Sequence, residues 1–504
     1  MKVTTSNPAT GVQRALDLDE TTVGDVWSRV ERASAVAEDY AGRALEWRAE
    51  MLRAMADELE ADTEVLVATA AEETALGLAR LRGELKRTAF QLRFFADVVT
   101  EGTFLHATVD HATDSPMGPL PDLRRMLVAL GPVAVFGSSN FPFAFSVPGG
   151  DTASALAAGC PVVLKAHPAH PATSAATFAT LERAARRCDA PEGTLGIVFG
   201  LEAGVALVEA PGISAVGFTG SVAAGRALWE RVLRRTVPIP FYGELGAANP
   251  LVVTLQAATE RGAQIGTGVA GSITLGVGQF CTKPGLLFVP AGEGGDALVG
   301  ACVAALGDLG GFTMLSAGIA EHFRAGARRA GAVAGVRALV NQNLGEAAQT
   351  SAQLYEVDAV AFATPGAGAL REECFGPLAI VVRYSSNDEL REALWASEPA
   401  LTFSLFVGDD DPAAASLLEL GSRRAGRVTV NEFPTGVGVS WSMQHGGPWP
   451  ATTSAASTSV GAAAIQRWLR PVAYQAVPDA LLPAALQESN PLAIPRRVDG
   501  RWPV

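Results

Sequence analysis

Three short stretches of this 504-residue chain carry side chains that could act together in catalysis. Cys281 lies in the glycine-bounded turn GQFCTKPG, Glu244 in YGELGAANP and Asn140 in GSSNFPF. A thiol is a potential nucleophile, a carboxylate a potential base and a carboxamide a potential donor to an oxyanion. A free cysteine is nevertheless more often a small buried hydrophobe than a reactive group. Composition and turn pattern therefore leave Cys281 open between nucleophile and packing.

The other cysteines and the histidines predict no metal site. The four remaining cysteines are widely spaced, with no C-x-x-C pair, at Cys160, Cys188, Cys302 and Cys374. The one close histidine pair, His167 and His170 in HPAH, is interrupted by proline and favours a loop. The chain has five cysteines, and an odd number without close pairs is typical of reduced thiols, which favours a cytoplasmic location.

Charge and composition exclude several classes of function. The chain has 39 basic and 52 acidic residues, a net charge of −13, and no Lys/Arg stripe, so nucleic acid is not expected as a partner. No run of about 18 apolar residues and no export signal occur, so we expect no membrane association. The hydrophobic fraction of 48% against 18% charged residues is typical of a globular enzyme. The length suggests roughly three lobes.

The secondary-structure pattern predicts an α/β protein. Residues 21–99 are helical in pattern, with Gly83 as a weak point, and residues 126–220 alternate strand-like and helical runs as in a parallel sheet. A second set of strand-like runs follows between residues 244 and 440: PLVVTL, GLLFVP, AVAFAT, LAIVVRY, TFSLFVG and RVTVNEF. The polar segment 104–128 predicts a projecting arm, and the tail predicts a strand at 468–477 followed by a proline-bounded helix.

Two glycine motifs are candidates for nucleotide-binding turns. GTGVAG, residues 266–271, follows a helical pattern and not a strand, so it predicts helix packing. AVGFTGSVAAG is better placed, because a strand ends at Phe218 and Gly220 and Ser221 begin a helix whose amides could hold a pyrophosphate. A tight turn without a ligand explains the second stretch about equally well.

Together the motifs resemble the aldehyde dehydrogenase superfamily. Its members carry an Asn-Phe-Pro after the first strand of the nucleotide domain, a Glu-Leu-Gly, a Gly-Gln-x-Cys and a Glu-x-Phe-Gly-Pro, the last present here as EECFGP, residues 372–377. The order and spacing match from about residue 20 to the end. The resemblance implies a Rossmann-type nucleotide-binding domain (1–103 and 131–243) and an α/β catalytic domain (244–440). It also implies a small oligomerisation arm with a C-terminal extension (104–130 and 460–504).

The resemblance assigns catalytic roles that suit the chemistry. Cys281 would attack the aldehyde, and Asn140 with the backbone N–H of Cys281 would stabilise the oxyanion. Hydride transfer to a nicotinamide would leave a thioester, and Glu244 would activate the water that hydrolyses it. A base at Glu244 favours hydrolysis over transfer to coenzyme A.

The resemblance also implies cofactor contacts and a cofactor preference. Lys165 would reach the adenosine ribose, Glu373 would hold the nicotinamide ribose, and Phe375 would pack near the nicotinamide. The adenine and pyrophosphate would be bordered by Gly200, Gly204, Gly220 and Ser221. Pro168 replaces the glutamate with which NAD-preferring members exclude a 2′-phosphate, so NADP is expected, with NAD also possible.

Within the superfamily, the nearest resemblance is to the α-ketoglutaric semialdehyde (2,5-dioxovalerate) dehydrogenases and related NADP-dependent aldehyde dehydrogenases. It rests on the segment from Ser138 to Ser174 and on the ending RWLRPVAYQAVPDALLP. Apolar pocket walls are expected from Phe141, Phe145 and Phe280, and Lys283 is a candidate cation for an acidic substrate. We expect oxidation of 2,5-dioxovalerate to 2-oxoglutarate, with broad aliphatic aldehyde oxidation as the alternative.

Two further expectations concern assembly and rival functions. The arm and the strand at 468–477 resemble the parts through which family members pair, which predicts a homodimer or homotetramer. A cofactor-independent thiol esterase using Cys281 and Glu244 is the competing enzyme class, weakened by the lack of a recognisable Cys–His arrangement. A non-catalytic binding protein is disfavoured by the intact catalytic set.

Overall fold

Helices dominate the N-terminal region of the computed structural model, which describes residues 1–502. The elements of this region are β1 (Lys2–Ser6), β2 (Gln13–Asp19), α1 (Val23–Gly42), α2 (Leu45–Ala61), α3 (Thr63–Thr74) and α4 (Leu78–Glu101). Thr22 caps α1, because its hydroxyl accepts from the Asp25 amide. The prediction that the helix weakens at Gly83 is wrong, since α4 continues through this residue. Leu81, Leu85 and Leu92 are buried along this helix, and this packing outweighs the low helix propensity of one glycine.

The five-stranded sheet that follows supplies the first half of the site. Its elements are β7 (Val133–Phe136), α5 (Gly150–Ala158), β8 (Val162–Lys165), α6 (Pro171–Arg187), β9 (Leu195–Val198), α7 (Leu201–Glu209), β10 (Ala215–Thr219), α8 (Val222–Leu233) and β11 (Phe241–Glu244). All pairings are parallel, in the order β11-β10-β7-β8-β9. The chain builds outward from β7 in one direction and then returns to place β10 on its other side. A crevice between the carboxyl ends of β7 and β10 is the expected ligand position in such sheets.

A seven-stranded sheet forms the second half. Its elements are β12 (Asn249–Val253), α9 (Leu255–Thr274), β13 (Pro284–Pro290), α10 (Glu293–Gly307), β14 (Phe312–Thr313), α11 (Ala317–Gly331), β15 (Arg337–Asn341), β16 (Gln349–Thr350), β17 (Gln353–Asp358), α12 (Ala359–Phe362), α13 (Gly368–Arg371), β18 (Leu378–Tyr384), α14 (Asn387–Ala396), β19 (Ala400–Phe406), α15 (Ala414–Arg424) and β20 (Ala425–Val430). The order is β15-β17-β18-β13-β12-β19-β20, and only the edge strand β15 pairs antiparallel. GTGVAG lies inside α9, as expected, where Gly266 closely approaches the Leu298 carbonyl of α10.

One predicted strand in this half is wrong. AVAFAT begins the short helix α12, and the strand is the preceding segment, β17. The prediction failed because an apolar run of four residues is too short for its periodicity to distinguish a strand from a helix. In the structure Ala359 and Phe362 are buried one helical turn apart.

A mixed sheet, antiparallel except for the pair β3 and β22, joins the polar segment after α4 to the C-terminal tail. The strands of this region are β3 (Thr108–Asp110), β4 (Thr113–Ser115), β5 (Gly118–Leu120), β6 (Leu123–Ala129), β21 (Leu469–Gln475) and β22 (Arg497–Val498). The sheet order is β21-β6-β3-β22, and β4 and β5 form a separate hairpin. The expected tail helix is wrong, because two single 3₁₀ turns, Asp479–Leu481 and Ala484–Leu486, replace it. Pro503 and Val504, the end of the predicted extension, lie outside the described residues.

The α/β class predicted from the sequence is confirmed by these parallel sheets and their covering helices. Separate apolar clusters fill the two faces of each large sheet. None of the helices within residues 1–502 combines the length and the apolar character that crossing a bilayer requires.

Candidate active site

The three predicted catalytic residues lie at the ends of elements that face the same crevice. Asn140 follows β7, Glu244 is the last residue of β11, and Cys281 precedes β13. Asn140 and Glu244 are 7% and 5% exposed. The Asn140 carboxamide donates to the Gln279 carbonyl at 2.9 Å, two residues before the thiol. The structure therefore brings Asn140 into contact with Gln279, 139 positions away in the chain and two residues before Cys281.

Asn249 at the start of β12 fixes the backbone around Cys281. Its Nδ2 donates to the carbonyls of Cys281 at 2.7 Å and Lys283 at 3.0 Å, and its Oδ1 accepts from the Thr402 amide at 3.0 Å. Asn249 is 1% exposed, so these bonds form away from competing water. A rigid backbone here holds the thiol in one place.

His445 is a functional candidate that the sequence reasoning missed. Its Nε2 lies 2.9 Å from Glu244 Oε1 and 3.5 Å from Cys281 Sγ. Its backbone amide donates to Thr458 Oγ1 at 2.8 Å, and Ser459 Oγ donates to the other oxygen of Glu244. The only signal in the sequence was a lone histidine before two glycines in the irregular segment NEFPTGVGVSWSMQHGGPWPATTS. The structure corrects the expectation that the chain lacks a Cys–His arrangement.

A single ring nitrogen of His445, Nε2, faces both Glu244 and Cys281. When Nε2 carries the proton it donates to Glu244, and no lone pair remains there for the Cys281 proton. When Nδ1 carries the proton, Nε2 can accept from the thiol but meets the carboxylate lone pairs. Nδ1 is buried without a hydrogen-bond partner, so neither tautomer is held by a third residue. The arrangement differs from a Ser-His-Asp triad, in which the carboxylate occupies the nitrogen opposite the nucleophile.

The electrostatics place the shared negative charge on Glu244. Burial alone would raise the pKa of Glu244, but electrostatic attraction and a hydrogen bond from His445, with hydrogen bonds from Ser459 and Cys281, hold this pKa below its usual range. Burial and then the Glu244 carboxylate raise the pKa of the Cys281 thiol well above its ordinary range. The thiol is therefore the protonated partner at neutral pH, and Glu244 is ready to accept a proton.

Two donors are available for an oxyanion at this point. The backbone N–H of Cys281 has no hydrogen-bond acceptor within residues 1–502. The Asn140 amide group has two N–H bonds, of which one is used on the Gln279 carbonyl. The Cys281 N–H belongs to the thiol residue itself and the Asn140 amide bonds the backbone two residues before it, an arrangement that suits stabilisation of a tetrahedral adduct.

The predicted aromatic pocket wall is assembled next to the catalytic cluster. Phe141 contacts Phe145 and Phe280 edge to face, with ring centroids 5.2 and 5.1 Å apart, and the Phe145 and His445 ring centroids are 6.4 Å apart. The sequence reasoning missed the cations that face these rings. The Arg80 guanidinium lies 5.0 Å from the Phe280 ring centroid and Arg87 lies 5.2 Å from that of Phe145. Both arginines come from α4.

Lys283, predicted as a pocket cation, is used differently. Its ammonium donates to the carbonyls of Cys374 at 3.1 Å and Leu378 at 2.6 Å, and the residue is 4% exposed. Burial lowers the pKa of this ammonium, while Cys374 and Glu373 oppose the shift. Lys283 therefore anchors the segment that carries Glu373, and its hydrogen bonds give no support for contact with a substrate.

The predicted adenosine-side contacts surround an unpaired cation. Lys165 ends β8 and has no hydrogen bond or ion pair from its side chain within residues 1–502, and burial lowers its pKa to about 8. Its stem packs over Gly204, where an added Cβ would come within 3.4 Å of it. Gly200 begins α7 with φ +103°, a conformation that favours glycine. A buried lysine without a carboxylate partner fits an anionic or hydroxyl-bearing ligand.

The remaining predicted cofactor residues lie at two other edges of the crevice. Ser221 caps α8 by accepting from Ala224, and Gly220 packs against the Phe218 ring. Glu373 approaches Gly246 so closely that a Cβ there would overlap its carboxylate, and burial raises the pKa of Glu373 to about 7. Phe375 packs against the core of the nucleotide half although it belongs to the catalytic half. These positions suit a nicotinamide dinucleotide lying between the two sheets.

The chain belongs to the aldehyde dehydrogenase family, because a sequence model of that family matches residues 1–470. It is 48% identical over 486 residues to alpha-ketoglutaric semialdehyde dehydrogenase 2 of Azospirillum brasilense, a match that covers 94% of this chain and 91% of the relative. It is 40% identical over 457 residues to alpha-ketoglutaric semialdehyde dehydrogenase of Acinetobacter baylyi, covering 90% and 86%. The family resemblance stated from the motifs is confirmed.

Solved structures show the same fold. Aldehyde dehydrogenase 21 of Physcomitrella patens, in complex with the reaction product succinate, matches with a TM-score of 0.79 at 21% identity over 95% of each chain. NADP-dependent glyceraldehyde-3-phosphate dehydrogenase of Bacillus halodurans, complexed with NADP, matches with a TM-score of 0.78 at 23% identity over 95% and 96%. Membership of the family, together with the two relatives above 30% identity, makes the enzyme class an NAD(P)-dependent aldehyde dehydrogenase, which uses a nicotinamide cofactor and a small aldehyde substrate.

Proposed function

We propose that this enzyme oxidises 2,5-dioxovalerate to 2-oxoglutarate. The observation that carries the proposal is the cluster of Cys281, His445 and Glu244 beside an aromatic wall that carries two arginines. The two relatives named alpha-ketoglutaric semialdehyde dehydrogenases, 48% and 40% identical, support the choice of substrate. The alternative is a broad-specificity enzyme for aliphatic aldehydes.

The chemistry begins with the thiol proton. Cys281 transfers its proton into the Glu244–His445 pair, and the thiolate attacks the aldehyde carbon to give a thiohemiacetal oxyanion, stabilised by the Asn140 amide and the Cys281 N–H. A bound nicotinamide would supply the hydride acceptor, and loss of hydride from the thiohemiacetal would leave a thioester on Cys281. The thiol proton first leaves the Glu244–His445 pair for solvent. Glu244 then removes a proton from the water that attacks the thioester, and it returns this proton to the departing Cys281 thiolate as the carboxylic acid is released.

An acidic substrate needs a cation near the pocket, and Arg87 meets this need. Its Nη1 is buried without a hydrogen-bond partner, and its Nη2 bond to the Val437 carbonyl is long at 3.3 Å. Burial lowers the pKa of Arg87, although the nearby Glu84 and Cys281 raise it. A carboxylate would supply the missing acceptor in bidentate form. Arg80 is less free, since it donates to the Asn140 carbonyl at 2.7 Å.

Substitution of Arg87 tests the substrate assignment. Arg87→Met keeps the packing on Phe145 but removes the charge, so we expect KM for 2,5-dioxovalerate to rise at least tenfold with kcat less affected. KM for pentanal should change little. Arg82→Met is the matched control, because Arg82 lies on the same helix and forms only a surface pair with Glu64. Equal losses on both aldehydes would favour the broad-specificity alternative.

A second substitution tests the proposed reaction itself. Cys281→Ala should abolish the aldehyde-dependent formation of reduced cofactor, measured by absorbance, while leaving cofactor binding intact. Cys374→Ala is the control, since the Cys374 thiol donates to the Phe323 carbonyl at 3.6 Å and packs against an apolar cluster of the catalytic half. Activity retained in Cys281→Ala would overturn the proposal.

We propose NADP as the preferred cofactor, with NAD accepted. Pro168 stands three residues after Lys165 and places no carboxylate where a 2′-phosphate would lie. Lys165 supplies a buried cation that has no carboxylate partner. The roles of Gly200, Gly204, Gly220, Ser221, Glu373 and Phe375 remain part of this proposal. Parallel titrations with both cofactors test it, and tighter binding of NAD would contradict it.

Ester hydrolysis is a second candidate activity, and the Cys–His contact found in the structure removes the objection that the sequence raised against it. The Cys281 thiol lies beside an imidazole and a carboxylate, the groups that cofactor-independent thiol esterases use. Comparison of p-nitrophenyl acetate cleavage with aldehyde oxidation separates the two. An esterase would cleave the ester much faster than it oxidises any aldehyde and would need no cofactor.

We also propose a homodimer or homotetramer in the cytoplasm, with the domain boundaries predicted from the sequence. The five free cysteines support a reducing compartment. The exposed outer strand of the arm sheet supports pairing between subunits.

A further inference from the structure

The catalytic cluster brings together three side chains that metals bind. Cys281 Sγ, His445 Nε2 and a carboxylate oxygen of Glu244 all lie within 4.8 Å of one another. No other group of three such ligands comes together among residues 1–502. The sequence predicted no metal site because these ligands come from three distant segments and form no spacing motif.

The separations suit a tetrahedral zinc ion. Bonds of about 2.3 Å to sulfur and about 2.0–2.2 Å to nitrogen and oxygen hold the ligand atoms about 3.3–3.6 Å apart in a tetrahedron. The Sγ to Nε2 separation is already 3.5 Å, and the Nε2 to Oε1 separation of 2.9 Å must open only slightly. Three ligands leave the fourth position open for water.

The charges of the cluster also suit a divalent cation. A thiolate and the Glu244 carboxylate side by side would bury two negative charges, which is costly without compensation. A divalent ion neutralises both and takes the place of the thiol proton, which leaves to solvent. The combination of thiolate and imidazole selects Zn²⁺ over the abundant Mg²⁺ and Ca²⁺, which prefer oxygen ligands.

The surroundings predict reversible and not permanent binding. Ser459 and Thr458 hold Glu244 and the His445 backbone in place, so the ligands are preorganised. His445 Nδ1, in contrast, has no hydrogen-bond acceptor. A metal-bound histidine usually donates from its other nitrogen, and loss of such an outer partner costs about 10–100-fold in affinity.

We propose that Cys281, His445 and Glu244 form a Zn²⁺ site that holds the enzyme in a reversibly inactive state. Zinc at this site occupies the nucleophile, the proton acceptor and the imidazole at the same time. The proposed reaction uses Cys281 as a free thiol and Glu244 as a free base, so the ion acts as an inhibitor and a chelator restores the active thiol. The site stands independently of the aldehyde that the enzyme oxidises.

Binding of Co²⁺, a spectroscopic substitute for Zn²⁺, tests the proposal without an activity assay. We expect one Co²⁺ per chain, with a thiolate charge-transfer band in the near ultraviolet and the intense visible bands of tetrahedral cobalt. Stoichiometric Zn²⁺ should abolish these bands by competition. It should also slow alkylation of Cys281 by iodoacetamide, measured by mass spectrometry.

Matched variants locate the site. Cys281→Ala and His445→Asn should lose the cobalt bands, and Glu244→Gln should weaken binding at least tenfold. Cys188→Ser and His322→Gln replace a thiol and an imidazole elsewhere on the chain, so both should bind as the parent does. Circular dichroism checks that each variant folds. If His445→Asn does not fold, protection of Cys281 by Zn²⁺ from alkylation in the parent enzyme takes the place of that variant as the test. Absence of cobalt bands in the parent enzyme, or bands retained in Cys281→Ala, would overturn the proposal.

Discussion

Burial and the Glu244 carboxylate both hold the pKa of the Cys281 thiol above its ordinary range. Glu244→Gln removes the negative charge, so the pKa of the thiol should fall. Because iodoacetamide attacks the thiolate, the pH at which alkylation reaches half its maximal rate should also fall. Glu293→Gln is the control, since Glu293 is exposed at the start of α10. An unchanged or higher midpoint in Glu244→Gln would show that the carboxylate does not govern the thiol.

Two other residues predict how cofactor binding depends on pH. Burial raises the pKa of Glu373 to about 7 and lowers that of Lys165 to about 8. Glu373 gains its charge as pH rises through 7, and Lys165 loses its charge as pH rises through 8. NADP should therefore bind most tightly between about pH 7 and 8, as measured by titration calorimetry.

Single substitutions separate the two sides of this pH profile. Glu373→Gln should remove the loss of affinity below pH 7, and Lys165→Met should remove the loss above pH 8. Each variant should leave the other side in place. A profile that both variants leave unchanged would mean that neither group contacts the cofactor.

At the scale of elements, the turn before Cys281 depends on one close backbone approach. Gly278 has φ +65°, and a Cβ there would lie 2.4 Å from the Gly376 backbone. This contact joins the nucleophile loop to the segment that carries Glu373. Gly278→Ala adds a left-handed strain of about 1–2 kcal/mol to that overlap, so both the melting temperature and kcat should drop.

Gly271→Ala is the matched control for this prediction. Gly271 lies inside α9, and an added Cβ would meet nothing within 4 Å. Alanine in a helix interior is favoured over glycine by about 0.5–1 kcal/mol, so this variant should melt no lower than the parent. Equal stability of Gly278→Ala and Gly271→Ala would contradict the close approach.

The sequence predicted best those features that are local to one element. The strands β8 and β10, the cap at Ser221 and the helical setting of GTGVAG all follow from short patterns. Glu244, Asn140 and Cys281 were found because each lies in a family motif. In the structure Glu244 lies close to Cys281 and Asn140 bonds to the Gln279 carbonyl, while the roles of all three remain part of the proposal.

Features that depend on contacts between distant segments were missed. His445 meets Cys281 across 164 positions from a loop with no periodic pattern. Arg87 looks like any polar position of α4 until Phe145 packs against it. Lys283 had a reasonable role beside the nucleophile, and only tertiary structure shows that two carbonyls bind its ammonium. No spacing rule encodes such partners.

At the scale of the whole molecule, the arm leaves surface that a single chain does not cover. β21 is the outer strand of its sheet, and much of it is exposed. The hairpin of β4 and β5 exposes Met117 at 94% and Leu120 at 46%. An open strand edge and exposed apolar tips promote association, so stable proteins usually cover them. A second subunit is the expected cover.

Charge at the hairpin tip should therefore separate the subunits. The double variant Met117→Glu and Leu120→Glu should sediment as a smaller species than the parent in a velocity experiment, because burying two carboxylates in an interface is costly. The control Leu233→Glu and Val237→Glu adds equal charge to exposed apolar positions after β10. It should leave the sedimentation coefficient unchanged. Parent-like sedimentation of the hairpin variant would exclude its tip from the interface, and a shift in the control alone would place the interface on the nucleotide half.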